Sequence, residues 1–203
     1  SKVEIEDFSS EFVIGVINVS KFKELQKELK LNENTITYRD TPIFSDPRGE
    51  KLGARILSNL EKLYLTIKKL NLQIIDSSNY YINAFNHGVP EKGLENLKHQ
   101  LFGLEANFEK HKAIDFKKGC FVGQENTARM RLKNKLRRKL FSIKSEEKLK
   151  FGDDLLFNEI KIGKVLIGSP YAFALIKLYD PDISQFKNNI RLNNSKKVEL
   201  LNV

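Results

Sequence analysis

The densest run of chemically capable residues is Lys118-Gly119-Cys120-Phe121-Val122-Gly123-Gln124-Glu125, followed by Asn126-Thr127-Ala128-Arg129-Met130. Two glycines flank the only cysteine of the chain, so the backbone there can turn tightly or approach a ligand closely. The residue types from Gln124 onward suit the start of a helix. A thiol near a helix N-terminus, with the ammonium of Lys118 two residues away, is pulled toward thiolate. The thiolate is the form that attacks electrophiles and binds metals. The competing reading is a small buried hydrophobe, the ordinary fate of a lone cysteine. Gly-Cys-Phe-Val-Gly between charged residues makes a poor core strand, which favours the reactive reading. One cysteine cannot hold an iron–sulfur cluster alone. His87, His99 and His111 show no ligand spacing. No permanently bound metal is expected, and Cys120 is a candidate transient ligand. The sequence carries no P-loop, dinucleotide fingerprint or nucleophile elbow.

A second cluster is basic. Arg129, Arg131, Lys133, Lys135, Arg137, Arg138 and Lys139 are seven cations within eleven residues, with no acid among them. Such a run suits phosphate contacts, and a weak tRNA contact through Arg129, Arg131, Arg137 and Arg138 is one reading. Another is a solvated basic face, since neither an RNA-binding motif nor interleaved aromatics accompany it, and a polyglutamate tail is a third possible anion. The odd positions share one face on a strand and spread around a helix. The formal net charge of +9 favours anionic partners, or reflects a general lysine bias.

The elements that must position these residues fit a chain of 203 residues, long enough for one or two cored domains. A hydrophobic share of 40% and a charged share of 30% exclude a disordered chain. The longest apolar stretch, Phe12 to Val19, is interrupted by Gly15 and Asn18, too short for a membrane span. The opening Ser1-Lys2-Val3-Glu4 has no secretory apolar segment, and a lone cysteine excludes a disulfide framework; a reducing, cytoplasmic setting is expected. Strands are expected at Val3 to Ile5, Glu11 to Val19, Thr35 to Arg39, Gly53 to Leu57 and Leu63 to Ile67. Ser20 is the expected cap of a helix bearing Phe22, Leu25 and Leu29 on one face. Thr41-Pro42 and Ser45 to Gly49 read as turns. A helix capped at Asp76, Ser77 or Ser78 should run through Tyr80, Tyr81, Ala84 and Phe85 to a stop at Gly88-Val89-Pro90. A short helix is expected around Leu94 to Leu97. After Leu136 short apolar pieces punctuated by glycine suggest a small β-barrel or sandwich: Leu140 to Ile143, Asp154 to Phe157, Ile160 to Ile167, Tyr171 to Ile176 and Val198 to Leu201. The expected domains are residues 1–135 and 136–203.

The segment Lys118 to Glu125 resembles the signature of the YgfZ family, folate-binding relatives of the glycine cleavage T protein. Its pattern is K-G-C, an aromatic, any residue, then G-Q-E, and all six fixed positions are present. Asp46-Pro47-Arg48 with Leu52-Gly53 and Arg55 resembles the family's D-P-R and L-G-x-R pieces. Tyr80 followed by Gly88-Val89-Pro90-Glu91 resembles its aromatic and helix end. Glu105 stands where the family usually has Glu, and Gly163 to Ala174 resembles its barrel pieces.

The resemblance implies an α+β, glycine cleavage T protein-like folate-binding fold lacking its N-terminal part, ending in a C-terminal Greek-key β-barrel. With Ser1 first and Met130 the only methionine, a fragment or a truncated gene is expected. The resemblance further implies a tetrahydrofolate-type cofactor and support for the assembly or repair of iron–sulfur client enzymes, and through them for tRNA modification. Carried over by position, Cys120 is the essential thiol, with Lys118, Gly119, Gly123, Gln124 and Glu125 shaping its loop. Tyr80, Arg48 and Glu105 fall in the cofactor-binding part. Ala84 departs from the pattern, since many relatives have Arg there. The rival reading is a folate-dependent aminomethyltransferase of the T protein type, and a third is a plain RNA-binding module. No membrane partner is expected.

Overall fold

The computed structural model describes residues 2–31, 33–119, 121–133, 136–193 and 196–201. The chain forms two compact units, Ser1–Tyr80 and Tyr81–Val203.

The first unit is a four-stranded antiparallel sheet with two helices on it. Its elements are β1 (Val13–Ile17), α1 (Val19–Glu28), β2 (Thr35–Tyr38), β3 (Thr41–Ser45), β4 (Ala54–Ser58) and α2 (Leu60–Lys69). The strand order is β1-β4-β3-β2. Ile17, Ile36, Ile43, Ala54 and Ile56 bury one sheet face against Phe22 and Leu25 of α1, with Leu63 of α2 packed on the same cluster. The helical spacing expected for Phe22, Leu25 and Leu29 therefore does bury that face.

Four local expectations are corrected. Val3 to Ile5 forms no strand. The cap of α1 is Asn18, not Ser20: Asn18 Oδ1 accepts from Lys21 N at 2.8 Å, and the Ser20 hydroxyl donates to the same oxygen. Leu63 to Ile67 lies within α2, capped by Asn59 Oδ1 on Lys62 N, because Leu63, Thr66 and Leu70 recur at helical spacing on the packed side. Thr41-Pro42 opens β3 rather than a turn. Pro42 pairs with Thr37 of β2, while pairing with β4 begins only at Ile43, so its missing N–H interrupts no ladder on that side.

A further helix, α3 (Ser78–Asn86), begins where Asp76 Oδ1 accepts from Ser78 N. It ends as expected: Gly88 N donates to Phe85 O and Val89 N to Ala84 O, the paired bonds of a glycine-terminated helix.

The second unit contains a short 3-10 turn at Leu94–Leu97, a run of turns, α4 (Glu125–Leu132) and a closed barrel. The barrel strands are β5 (Arg138–Ser145), β6 (Asp154–Phe157), β7 (Ile160–Ile167), β8 (Phe173–Lys177), β9 (Ile190–Leu192) and β10 (Lys197–Leu200), with a one-turn helix α5 (Ile183–Phe186) before β9. Their order around the barrel is β10-β5-β8-β7-β6-β9. β6, β7 and β8 meander while β5 lies beside β8, a Greek-key arrangement. Phe141, Ile143, Leu155, Val165, Ala174, Ile176 and Phe186 belong to one buried cluster. Leu140, Leu166, Phe173 and Leu175 join Phe85 in a second. The fold is that of a mixed α+β protein ending in a barrel, as the sequence implied. β9 and α5 were not expected, because Ile183, Phe186, Ile190 and Leu192 stand singly in a polar stretch.

Candidate functional site

Two groups of expected site residues are organised by short-range chemistry, one in each unit. In the first, Asp46 follows β3 and is held in a tight loop, its N–H donating to Gly53 O and its carbonyl accepting from Gly49 N. Gly53 must be glycine: its φ is +87°, and a Cβ would press far inside contact with the Ile17 carbonyl oxygen. This close approach lets β4 start beside β1, and it sets Arg55 on the sheet face next to Asp46.

The Asp46 side chain is 1% exposed and accepts from two arginines. Oδ1 accepts from Arg48 N and Nε, both at 3.0 Å; Oδ2 accepts from Arg48 Nη2 at 2.8 Å and from Arg55 Nε at 3.1 Å. Burial pushes this carboxyl up. The hydrogen bonds from Arg48 and the charges of Arg48 and Arg55 outweigh burial and hold it below the usual carboxylate range. The clamped guanidinium of Arg48 in turn donates from Nη2 to the Tyr80 hydroxyl at 2.8 Å. Arg48 and Tyr80 are thus brought together, as a planar cation joined to a half-buried phenol. Asp46 and Arg55 were not singled out as site residues, although the D-P-R and L-G-x-R pieces contain them. The available signal was that one acid precedes two arginines at short spacing around a glycine.

The second group is the loop before α4. Gln124 caps α4 without using its side chain on the helix. Its Oε1 instead accepts from Lys118 Nζ at 3.0 Å and from Phe121 N at 3.3 Å. Gln124 N donates back to Phe121 O, and Glu125 Oε1 accepts from Gly123 N at 3.0 Å. The backbone N–H groups of Gly123 and Glu125 lower the Glu125 carboxyl below its ordinary value. Gly123 has φ +93°, the left-handed turn its residue type permits. Lys118 also lies over the Phe121 ring, 5.1 Å from its centroid. The signature residues therefore close on one another: Lys118 and Gln124 staple the loop, and Gly119 stands with no side chain or backbone crowding it. The loop exposes Phe121 by 71% and Val122 fully. Cys120, the residue the loop encloses in sequence, lies outside the described residues.

Glu105 is elsewhere in the second unit. It is buried; its carboxylate accepts from Phe102 N and from Arg138 Nε, and its carbonyl accepts from Leu140 N. It ties the run of turns to β5. Asn107 adds a side-chain bond to Leu140 O. The basic run does not form one strip. Arg129 and Arg131 lie on α4, where Arg131 pairs with Glu109 and covers Phe116; Arg138 opens β5 and pairs with Glu105. Lys135 lies outside the described residues. Ala84, the position that departs from the resembled pattern, is fully buried in α3. Among the described residues no three His, Asp or Glu side chains gather as a metal site, and no helix is long and apolar enough to cross a membrane.

Set against known proteins, the chain matches no family profile. It is similar to iron–sulfur cluster assembly factors. One, the mitochondrial IBA57 homologue of Phaeosphaeria nodorum, is 34% identical over 99 residues, which is 49% of this chain and 23% of that protein. The homologue of Dictyostelium discoideum is 24% identical over 79% of this chain and 40% of its own length. The mitochondrial IBA57 of Mus musculus is 30% identical over 52% of this chain and 29% of its length. The matches thus span less than half of each relative.

These relatives are named as mitochondrial, which overturns the cytoplasmic expectation. A lone cysteine excludes a disulfide framework within these residues, but it does not separate one reducing compartment from another, cytosol from mitochondrion. Among solved structures, the glycine cleavage system aminomethyltransferase T from Bartonella henselae superposes with a TM-score of 0.56 at 14% identity, over 89% of this chain and 55% of that one. The chain has the glycine cleavage T protein fold, and its sequence relatives are iron–sulfur cluster assembly factors.

Proposed function

We propose that the protein is a folate-binding accessory factor for the assembly or repair of iron–sulfur enzymes, of the YgfZ type, acting through Cys120. The observation that carries this reading is the similarity to iron–sulfur cluster assembly factors, joined to a fold shared with an aminomethyltransferase of the glycine cleavage system; the folate is what the family resemblance of the sequence implies. The cluster is cargo. The Cys120 thiolate lends one electron pair to an iron of the delivered cluster, and a partner or small thiol supplies the other ligands. Lys118 and Gln124, joined by a hydrogen bond, staple the loop that carries Cys120 in sequence. The ammonium of Lys118 favours the thiolate over the thiol. Gly119 and Gly123 keep the loop narrow, and Glu125 fixes its end.

The residues of the first unit suit a folate. Arg48, fixed in plane by Asp46, offers guanidinium N–H groups to a carboxylate or a ring carbonyl, and Tyr80 offers an aromatic face with a hydrogen-bonding tip. When bound, tetrahydrofolate supplies one-carbon or two-electron chemistry at its pteridine. Residues 1–135 form the folate-binding region in this reading, and residues 136–203 the barrel that Glu105 braces through Arg138. A tRNA contact through Arg129, Arg131, Arg137 and Arg138 is subordinate, since Arg131 and Arg138 are already committed to Glu109 and Glu105. Support of tRNA modification is then indirect, through iron–sulfur client enzymes.

The test uses the full-length protein in cells lacking it. Cys120→Ala should leave the fold and tetrahydrofolate binding intact and abolish rescue of an iron–sulfur enzyme's activity; full rescue by that variant overturns the proposal. The second reading, folate-dependent aminomethyl transfer, rests on the likeness in fold, which does not by itself carry function. Formation of methylene-tetrahydrofolate from an aminomethylated carrier protein would select it.

A further inference from the structure

On the barrel wall, away from the Cys120 loop in sequence, β5, β8 and β7 present cations in an order that folding alone does not explain. Arg138 and Lys177 are directly opposed partners in the β5–β8 ladder. Side chains at opposed positions share a face and stand about 5 Å apart, and like charges placed so weaken a sheet. Lys164 is opposed to Leu175, two residues before Lys177 on the same strand, so it joins that face at a diagonal spacing of about 7–8 Å. Lys161 follows along β7. Together with Gln100, these four cations line a groove of about 280 Å3 whose apolar lining includes Leu166 and Leu175.

The compensating acids are fewer than the cations. Glu105 pairs with Arg138 at 2.9 Å and Asp154 with Lys161 at 2.6 Å. Asp154 also stands opposite Lys164 in the β6–β7 ladder. Among the described residues neither Lys164 nor Lys177 has an ion-pair partner, and Lys164 rests over the Phe151 ring instead. The groove therefore keeps an excess of positive charge over an aliphatic lining.

The geometry points to a docking groove for an acidic, aliphatic-containing segment of a partner protein. Alternate side chains of an extended peptide repeat at about 6.6–6.8 Å, close to the diagonal spacing of about 7–8 Å between the Lys164 and Lys177 positions. Carboxylates on that segment meet Lys177 and Lys164 and relieve the repulsion between Lys177 and Arg138. Its aliphatic side chains lie along Leu166 and Leu175. Single-stranded nucleic acid fits less well, because among the described residues the groove lining contains no aromatic ring on which bases could stack.

The probe is a fluorescein-labelled heptapeptide of alternating Glu and Leu, titrated with the whole protein and followed by fluorescence anisotropy. Saturable binding should weaken with rising salt. Lys177→Ala and Lys164→Ala should each weaken it roughly 3- to 10-fold, and Lys177→Glu should abolish it. Lys187→Ala, at the end of α5, should leave it unchanged. Thermal unfolding midpoints no lower than wild type for Lys177→Ala and Lys177→Gln would show that folding is retained. Equal affinity in wild type and Lys177→Ala, or an equal loss in Lys187→Ala, overturns the proposal. A labelled uridine decamer that displaces the peptide, with the same dependence on Lys164 and Lys177, overturns it in favour of a phosphate site.

Discussion

Asp46→Asn separates the architecture of the first unit from its surface. The substitution keeps the side-chain volume, removes the charge and turns one acceptor oxygen into an N–H2 group facing guanidinium donors. Four N–H groups now reach the carboxylate within 3.1 Å. Removing one side of a buried ion pair costs about 3–5 kcal/mol. The side chains of Arg48 and Arg55 are 24% and 27% exposed, so both can recover some water contact. That places the expected loss below this range, at about 2–3 kcal/mol. Urea unfolding of the full chain, followed by circular dichroism at pH 7, measures it. The pH dependence adds a second check. The Asp46 carboxyl is held below its ordinary value in the folded state. Its contribution is therefore complete above the unfolded value of about 3.9 and is lost as pH falls through the lower folded value. The gap between wild type and Asp46→Asn should be full at neutral pH and close in strong acid. A loss under about 0.5 kcal/mol, or a gap that stays constant into acid, refutes the claim that this carboxylate organises the two arginines.

Gly53→Ala should destabilise the first unit by more than about 2 kcal/mol, because it combines a left-handed backbone with a collision against the Ile17 carbonyl; denaturant unfolding measures it. Burial, and then the charge of Lys110, lower the Lys139 ammonium below its ordinary value. The protonated form is thus disfavoured in the folded state, and the penalty is present at neutral pH and fades as pH rises through the folded value toward 10.5. Lys139→Met should raise the thermal midpoint at pH 7, with the gain shrinking as pH rises toward 10.5; an unchanged or lower midpoint at pH 7 would contradict it.

The sequence was most legible where one physical rule dominated. The helix from Ser78 to its glycine stop, the strands Asp154–Phe157 and Ile160–Ile167, and the helix opened at Gln124 follow from caps and alternation alone. It was least legible where tertiary contacts decide. Leu63 to Ile67 is dense in apolar residues and suits either period; only packing against the sheet selects the helix. Pro42 reads as a breaker until the register shows that β4 pairs beyond it. Within the candidate site, Arg48 and Tyr80 are separated by thirty-two positions and meet through one hydrogen bond. Only the family resemblance paired them, and the buried acid beneath them stayed unassigned because nothing in D-P-R says which face the carboxylate turns to. Glu105 was singled out by position, yet its reach to Arg138 crosses thirty-three residues that no local pattern connects.

Closure of the six-stranded barrel has a consequence for how proteins can attach to this one. Every barrel strand has a neighbour on both sides, so no ladder there is left to extend. Among the described residues the sheet of the first unit ends instead in β1 and β2, each paired along one side only. A partner strand therefore finds a free ladder beside Val13–Ile17 or Thr35–Tyr38, while the barrel offers side chains and loops.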